Sequence, residues 1–199
     1  MLLNKLEFAL MNNPARAALQ RQVEARVLAR LGGTVDNGRA LEIGCGRGIG
    51  VQAILETFRA RYVDAFDLDA RMVLRARRRT LEYGDRVRLW VGDASAIAAP
   101  SETYDAVFDY GIIHHVPDWR TTLTEVHRVL KPGGRFYGEE MLAGFITHPI
   151  ARSLFDHPQK DRFRMPELLA GMEHSGLSVT HHGNVAGLFG WFVATKPAA

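Results

Sequence analysis

The sequence contains only one cysteine, Cys45, among its 199 residues. A single cysteine excludes an internal disulfide and disfavours a cysteine-based zinc site, so we predict no metal centre and a reducing, cytoplasmic environment. No apolar run approaches the about 20 residues of a membrane-spanning helix. The N-terminal residues carry an early acid and no long apolar core, unlike a secretory signal. Peripheral contact with a membrane surface is left open for the apolar stripe at residues 2–11.

Charge of one sign is also scarce, since 25 Lys and Arg residues stand against 22 Asp and Glu, for a net charge of +3. Arginines concentrate between residues 71 and 79, but on a helix they spread around more than one face, and no aromatic side chains interleave them. A solvated surface is therefore favoured over a nucleic-acid-binding one. At this length the chain is most simply one domain, burying roughly 70% of the surface that its unfolded form exposes.

One stretch, residues 40–50, combines a short apolar run with alternating glycines, Ala-Leu-Glu-Ile-Gly-Cys-Gly-Arg-Gly-Ile-Gly. Apolar residues follow it at helical spacing, so it predicts a strand, a tight turn and a helix. The glycines allow backbone dihedrals that other residues avoid, and they bring N–H groups at a helix N-terminus close to a ligand above the sheet. Cys45 lies inside this glycine turn, where we expect a small buried side chain rather than a nucleophile.

Strand and helix patterns alternate along the rest of the chain. Strands are predicted at residues 39–43, 62–66, 86–91, 104–108, 135–137, 177–181 and 189–195. Helices are predicted at 14–31, after the glycine turn, at 70–81, after the capping residue Asp118, and from Met165. Strands joined by helical crossovers predict an α/β fold with a doubly wound, mostly parallel sheet.

Acidic side chains follow several of these strands, which is more than a stable fold requires. Ligands of parallel sheets bind outside the carboxyl ends of the strands. Asp67 lies 19 positions beyond Gly48, near the spacing of about 20 at which a carboxylate binds the ribose hydroxyls of a nucleotide. Asp69 is favoured as the N-cap of the helix that begins at Ala70, and Asp93 is placed to cap a short turn or to bind the ligand.

Further motifs occur in a fixed order. They are E-x-G-x-G-x-G at 42–48, Val-Gly-Asp-Ala at 91–94, Tyr-Asp-Ala-Val-Phe at 104–108, Ile-His-His-Val at 113–116, and Glu-Val-His-Arg-Val-Leu-Lys-Pro-Gly-Gly at 125–134. The set resembles the class I, Rossmann-like S-adenosylmethionine-dependent methyltransferases, in the branch that includes quinone-biosynthesis enzymes. This resemblance covers about residues 39–139. It implies the strand order 3-2-1-4-5-7-6 with the last strand antiparallel, S-adenosylmethionine as methyl donor, S-adenosylhomocysteine as product, and a small-molecule acceptor.

The resemblance and the strand-end positions together imply the residues of the site. Predicted cofactor contacts are Glu42, Gly44, Cys45, Gly46, Gly48, Asp67, Leu68, Met72, Gly92, Asp93, Ala94 and Asp109. The adenosine is expected between Leu68 and Asp93, with the amino-acid end over the glycine turn. Predicted catalytic residues are His115, His114 and Glu139, with Tyr110 and Glu140 as further candidates for a base. His115 is favoured because it precedes Val116-Pro117, as in the family's His-Val pattern.

Two other functions stay open. A nicotinamide-dependent oxidoreductase would also use Asp67, but Ile49 stands where the dinucleotide fingerprint has its third glycine, and a Tyr-x-x-x-Lys pair is missing. A non-catalytic S-adenosylmethionine-binding protein is compatible, because methyl transfer needs little beyond positioning of the reactants. Residues 109–112 lack the two prolines of amino-directed methyltransferases, which disfavours nucleobase and amide acceptors.

We expect one domain, residues 1–199, with four parts. These are N-terminal helices at 1–33, a cofactor-binding core at 39–140, a segment at 141–163, and a C-terminal helix and strand pair at 164–199. Apolar stripes at 2–11 and 141–155 predict a cover over the acceptor site, which favours a partly apolar acceptor. A simple seal of the domain's own surface is the equal alternative. The oligomeric state is not predicted.

Overall fold

The computed structural model describes residues 23–148 and 161–198. The strands within them are β1 (Arg39–Ile43), β2 (Tyr62–Asp67), β3 (Val87–Val91), β4 (Tyr104–Tyr110), β5 (Leu130–Met141), β6 (Ser178–Val185) and β7 (Phe189–Thr195). The helices are α1 (Ala25–Gly32), α2 (Ile49–Glu56), α3 (Ala70–Arg79), α4 (Trp119–Val129), α5 (Ala143–Ile146) and α6 (Met165–His174), with 3-10 turns at Leu81–Arg86 and Ile113–His115. No helix in these two ranges is long and apolar enough to cross a membrane.

The strands form one sheet in the order β3-β2-β1-β4-β5-β7-β6. Pairs β1–β2, β1–β4, β2–β3 and β4–β5 are parallel, whereas β7 runs antiparallel to β5 and β6. Helices α2, α3 and α4 cross over between parallel strands, while a turn of residues 186–188 joins β6 to β7 and is too short for anything but an antiparallel hairpin. The predicted α/β fold, strand order and antiparallel last strand are confirmed.

Each face of the sheet packs against its own helices, because side chains alternate along a strand. On β1, Leu41 and Ile43 join the core formed with α4 and α6, whereas Ala40 joins the opposite core formed with α1, α2 and α3. Glu42 alternates onto the second face and lies against Gly50 at the start of α2. Glu42, which is 1% exposed, therefore occupies a buried strand position that is usually apolar.

Strand β5 is longer than the three residues predicted for it, because it is paired on both sides, with β4 and with β7. Tyr104 pairs with Leu130, and Ala106 pairs next with Arg135, so residues 131–134 bulge out of the ladder. The strand then continues to Met141. The consequence for the site is that Glu139 and Glu140 are buried strand residues rather than loop residues.

Helix α1 ends at the two glycines that predict its end. Gly33 has a φ of +81°, and the single proton of the Tyr137 hydroxyl is shared between the carbonyls of Gly32 at 2.8 Å and Gly33 at 3.0 Å. These bonds fix the helix to β5. The predicted start of this helix, at residue 14, lies outside the described residues.

Candidate active site

A cavity of 440 Å³ opens at the carboxyl ends of β1, β2 and β4. One side is lined by the glycine turn and by residues that follow β2 and β3. The other side is formed by Tyr110 and by residues 111, 112 and 115–118. We refer to residues 111–118 as the β4 loop. Because β1 lies between β2 and β4 in the sheet, the cavity sits above the point where the order of strands reverses, which is the usual ligand position in this type of sheet.

The glycine turn has the open backbone that its sequence predicts. Gly44 has a φ of +71°, and a Cβ there would lie 2.3 Å from the Ile112 side chain of the β4 loop. Gly46 has a φ of +49°, and a Cβ there would meet no atom within 4 Å. Glycine is thus required at 44 by close approach of the opposite wall, whereas at 46 it leaves the backbone open to a ligand.

Asp67, the last residue of β2, holds the glycine turn in place. Its Oδ2 accepts a hydrogen bond from the N–H of Gly46 at 2.9 Å, and its Oδ1 accepts one from the N–H of Asp69 at 2.8 Å. Burial raises the pKa of Asp67, while these two hydrogen bonds oppose the rise. A carboxylate oxygen can accept a further hydrogen bond, so Asp67 lines the cavity with acceptor capacity to spare.

Glu42 and Tyr110 place two buried polar atoms at the cavity wall. Glu42 Oε2 and the Tyr110 hydroxyl have no hydrogen-bond partner among the described residues, and both side chains flank Gly50. Burial raises the pKa of Glu42 well above its usual range, and the charge of Asp67 adds to this rise. Buried polar atoms are normally paired, so this part of the site fits a ligand that brings a donor or a positive charge, such as the ammonium group of S-adenosylmethionine.

Asp69 and Asp93 line the cavity below the ends of β2 and β3. Asp69 accepts a hydrogen bond from the N–H of Arg71 at 2.9 Å, which confirms the predicted N-cap of α3. Its hydrogen bond with the Arg71 side chain lowers the pKa of Asp69. Asp93 Oδ1 accepts from the N–H and the hydroxyl of Ser95, at 2.9 and 2.7 Å. Both acids therefore shape the backbone of the site as well as facing the cavity.

The structure separates the two adjacent histidines. His115 lines the cavity. His114 is fully buried, with its Nδ1 2.5 Å from Glu140 Oε2, and is not among the lining residues. Glu139 is also buried outside the cavity lining. The described residues therefore do not favour direct contact between His114 or Glu139 and a substrate in this cavity. The 3-10 turn directs His114 inward, and strand β5 buries Glu139.

Most of the predicted cofactor contacts meet in this one cavity. They are Glu42, Gly44, Cys45, Gly46, Asp67, Leu68, Met72, Gly92, Asp93 and Ala94. Gly48 and Asp109 do not line it: Gly48 is the N-cap of α2 and lies against Ala76 of α3, and Asp109 is fully buried behind the β4 loop. Cys45 is buried, as expected.

Sequence reasoning missed several residues that line the cavity. They are Arg47, Ile49, Gly50, Phe66, Ser95, Gly111, Ile112, Val116, Pro117 and Asp118. The implied strand order contained a usable signal for those after β4, because it places β4 beside β1 and so brings the β4 loop over the glycine turn. Within residues 141–148, Leu142 and Ile146 are buried in the domain's own core rather than lining the cavity. Residues 2–11 and 149–155 of the predicted cover lie outside the described residues.

The structure places a glycine turn after the first strand, a carboxylate at the end of the second and an acid after the third, on a sheet of the order that the sequence resemblance implies. Comparison with known proteins agrees. Residues 40–134 match the methyltransferase domain family. The chain is 33% identical over 142 residues to a fatty-acid O-methyltransferase of Mycolicibacterium smegmatis, covering 70% of this chain and 51% of that protein.

A second relative supports the branch that the motifs resemble. A ubiquinone biosynthesis O-methyltransferase of Xylella fastidiosa is 28% identical over 166 residues, covering 78% of this chain and 65% of that protein. Among solved structures, a chain from the complex between the Haloferax volcanii Trm112 methyltransferase activator and a methyltransferase superposes with a TM-score of 0.77 at 20% identity, covering 96% of this chain and 98% of that one. At that identity the match shows the fold alone.

The match of residues 40–134 to the methyltransferase domain family therefore confirms the resemblance found in the sequence. The chain spans between about half and two thirds of the length of the two curated relatives. The comparisons give no support to a nicotinamide-dependent oxidoreductase.

Proposed function

We propose that this chain transfers the methyl group of S-adenosylmethionine to an oxygen of a small, partly apolar acceptor. One observation carries the proposal: a single cavity joins the glycine turn and the strand-end carboxylates to a wall that contains a histidine among apolar side chains. The named relatives, which act on a fatty acid and in ubiquinone biosynthesis, support an oxygen acceptor with an apolar part.

The cofactor side of the proposal assigns roles to three acids. Bound S-adenosylmethionine supplies a methyl group already activated by a sulfonium, so the protein has only to position the reactants and exclude water. Asp67 would accept the ribose hydroxyls with its spare acceptor capacity, and Asp93 would accept the adenine amino group. Glu42 would hold the ammonium group, whose charge would balance the carboxylate that burial disfavours.

The acceptor side is assigned to the β4 loop. Ile112, Val116 and Pro117 give this wall an apolar surface, which suits an acceptor chain or ring. His115 would take the proton of an acceptor hydroxyl. A carboxylate acceptor is already ionised at neutral pH, so it would need no base. Dependence on His115 therefore distinguishes the two kinds of acceptor.

Calorimetry with S-adenosylmethionine, S-adenosylhomocysteine and NADH tests the cofactor. We expect the first two to bind and NADH not to bind. Turnover is then measured as S-adenosylhomocysteine formed with an alkyl-substituted catechol and with a long-chain fatty acid. Binding without turnover on either probe, or on other hydroxyl and carboxylate acceptors, would favour the non-catalytic alternative.

The proposed cover over the acceptor has its own experiment, removal of residues 1–11. A cover predicts that the truncated chain folds and binds S-adenosylhomocysteine normally but turns over the acceptor slowly, because water enters the site. A fall in melting temperature with unchanged turnover would instead show that the segment seals the domain. If the truncated and full chains match in both measurements, the cover has to be abandoned for this segment.

A further inference from the structure

Two acids lie behind the cavity wall and touch no part of the cavity. Asp109 is in β4 and Glu140 is in β5, and each is 0% exposed. The strands that carry them are neighbours in the sheet. Burying two ionisable groups side by side opposes folding unless each is well hydrogen-bonded. The groups that these two acids bind by hydrogen bonds therefore indicate why the acids are buried here.

Together the two carboxyl groups hold three consecutive N–H groups of the β4 loop. Asp109 Oδ1 accepts from the N–H of Ile112 at 2.9 Å. Glu140 Oε1 accepts from the N–H of Ile113 at 2.6 Å and from that of His114 at 3.3 Å, and its Oε2 reaches the His114 ring. The start of the loop is thus fixed to the sheet by side chains as well as by its own peptide bonds.

The held residues determine where the cavity-lining residues lie. The N–H of His115 donates to the carbonyl of Ile112 at 2.9 Å, and that of Val116 donates to the carbonyl of Ile113 at 2.9 Å. The rings of His114 and His115 are 4.1 Å apart. His115 therefore takes its direction from a turn whose anchors are Asp109 and Glu140.

The charges around Glu140 come from three neighbouring parts of the chain. Asp109 faces it from β4, His114 faces it from the 3-10 turn, and Arg162 donates a hydrogen bond to the His114 carbonyl from the segment before α6. Burial raises the pKa of Asp109 well above its usual range, and the charge of Glu140 adds to the rise. Burial also raises the pKa of Glu140, to about 7.

We propose that Asp109 and Glu140 are positioning residues, which hold the β4 loop so that His115 faces the acceptor. This inference rests on the proposed function. It assigns to neither acid any contact with substrate or cofactor. Loss of Glu140 should accordingly impair acceptor turnover while cofactor binding, which depends on the other side of the cavity, is kept.

The test compares Glu140→Gln with Asp64→Asn. Glutamine keeps the shape and one acceptor oxygen but removes the carboxylate opposite His114. Asp64 is the control because it is also a buried acid, 4% exposed, in strand β2. It binds Arg39 and the Tyr104 hydroxyl away from the cavity. A merely structural role predicts similar consequences from the two substitutions.

We expect Glu140→Gln to lower kcat for the alkyl-substituted catechol about tenfold or more, with the Kd for S-adenosylhomocysteine within about twofold of the wild-type value. Asp64→Asn should lower the melting temperature and leave both constants unchanged. Equal kinetic losses in the two variants, or cofactor affinity that falls in step with kcat, would overturn the inference.

A second readout needs no acceptor and so separates this inference from the proposed function. The imidazole NMR signals of His115 should shift in Glu140→Gln and stay in place in Asp64→Asn. If the chain turns over no acceptor but the signals shift in this way, the positioning role stands and methyl transfer fails. Unshifted signals in Glu140→Gln would refute the positioning role. Should that variant not fold, Asp109→Asn, which keeps an acceptor for Ile112, is judged by the same signals.

Discussion

The two ends of the sheet treat their acids differently. Away from the cavity, Asp64 pairs with Arg39 at 2.6 Å and accepts from the Tyr104 hydroxyl at 2.8 Å, and Asp105 pairs with Lys131 at 2.7 Å. At the cavity end, Glu42 and Asp67 form no ion pair with Lys or Arg in the described part of the chain, and burial raises the pKa of both. Asp64 and Asp105 are thus paired with cations, whereas Glu42 and Asp67 at the cavity keep unused acceptor capacity.

The pKa of Asp105, at the end of the sheet away from the cavity, shows the same contrast. Burial opposes ionisation of this carboxyl group, yet its hydrogen bonds with Lys131 and the N–H of Arg39 lower its pKa overall. Among the residues that the structure describes, no comparable cation offsets the burial of Glu42. A sheet that leaves an acid unpaired at one end gives up stability there, and a bound cationic ligand would restore it.

The largest difference between the cavity end of the sheet and the rest of the molecule is expected from His115→Ala. We expect kcat for the catechol to fall about a hundredfold or more, because a general base is lost, while the Kd for S-adenosylhomocysteine is unchanged. His127→Ala is the control, since His127 packs against Gly176 away from the cavity. A normal rate in His115→Ala with the catechol would mean that the site works by positioning alone.

The next effect concerns pH. The pKa of Glu140 is raised from 4.5 to about 7, so the folded chain holds this proton more tightly than the unfolded chain. The resulting stability is complete below about pH 4.5 and is lost as pH rises through about 7, amounting to up to about 3 kcal/mol. Thermal unfolding of the wild type and of Glu140→Gln between these pH values measures the contribution of the coupled pair Glu140 and Asp109. The difference in melting temperature between them should change with pH, and a constant difference would contradict the assignment.

A somewhat smaller effect is expected from Asp67→Ala, which removes the carboxylate from the cavity end. The affinity for S-adenosylmethionine should fall by about 1 to 3 kcal/mol, roughly tenfold to a hundredfold, because two ribose hydroxyls lose an acceptor. Calorimetry measures the change. Asp105→Ala, at the opposite end, should lower the melting temperature without affecting the Kd. An unchanged Kd in Asp67→Ala would remove the ribose assignment.

The smallest expected effect sharpens the comparison, since it has opposite signs for folding and binding. Glu42→Gln removes a buried carboxyl group whose ionisation burial opposes, so the ligand-free variant should lose less stability than the wild type as pH rises. The same change should weaken S-adenosylmethionine binding about tenfold through loss of the ammonium partner. Denaturant unfolding and calorimetry measure the two quantities. A loss of stability together with unchanged binding would place Glu42 among the purely structural acids.

Most of the predicted cofactor contacts line one cavity because each of them lies at or just after the end of a strand. The glycine turn, Asp67 and Asp93 each follow a strand directly, and a parallel sheet brings such positions together at one edge. Two predicted cofactor contacts do not line the cavity, for a common reason. Gly48 and Asp109 lie near strand ends as predicted, but Gly48 caps a helix and the Asp109 side chain is buried, and the local spacing of the sequence shows neither.

The sequence by itself determined the α/β class, the strand order through its family resemblance, the end of α1 and the N-cap at Asp69, because glycine, proline and capping preferences act between near neighbours. Only the tertiary structure decided which acids are paired, which of His114 and His115 faces the cavity, and that Glu140 holds the β4 loop. Those outcomes depend on contacts between β4, β5 and the 3-10 turn, which lie far apart in the sequence. The hydrogen bond from Ile113 to Glu140, for example, joins residues that are 27 positions apart. The burial that raises the pKa of Glu140 exists only once these strands are packed together.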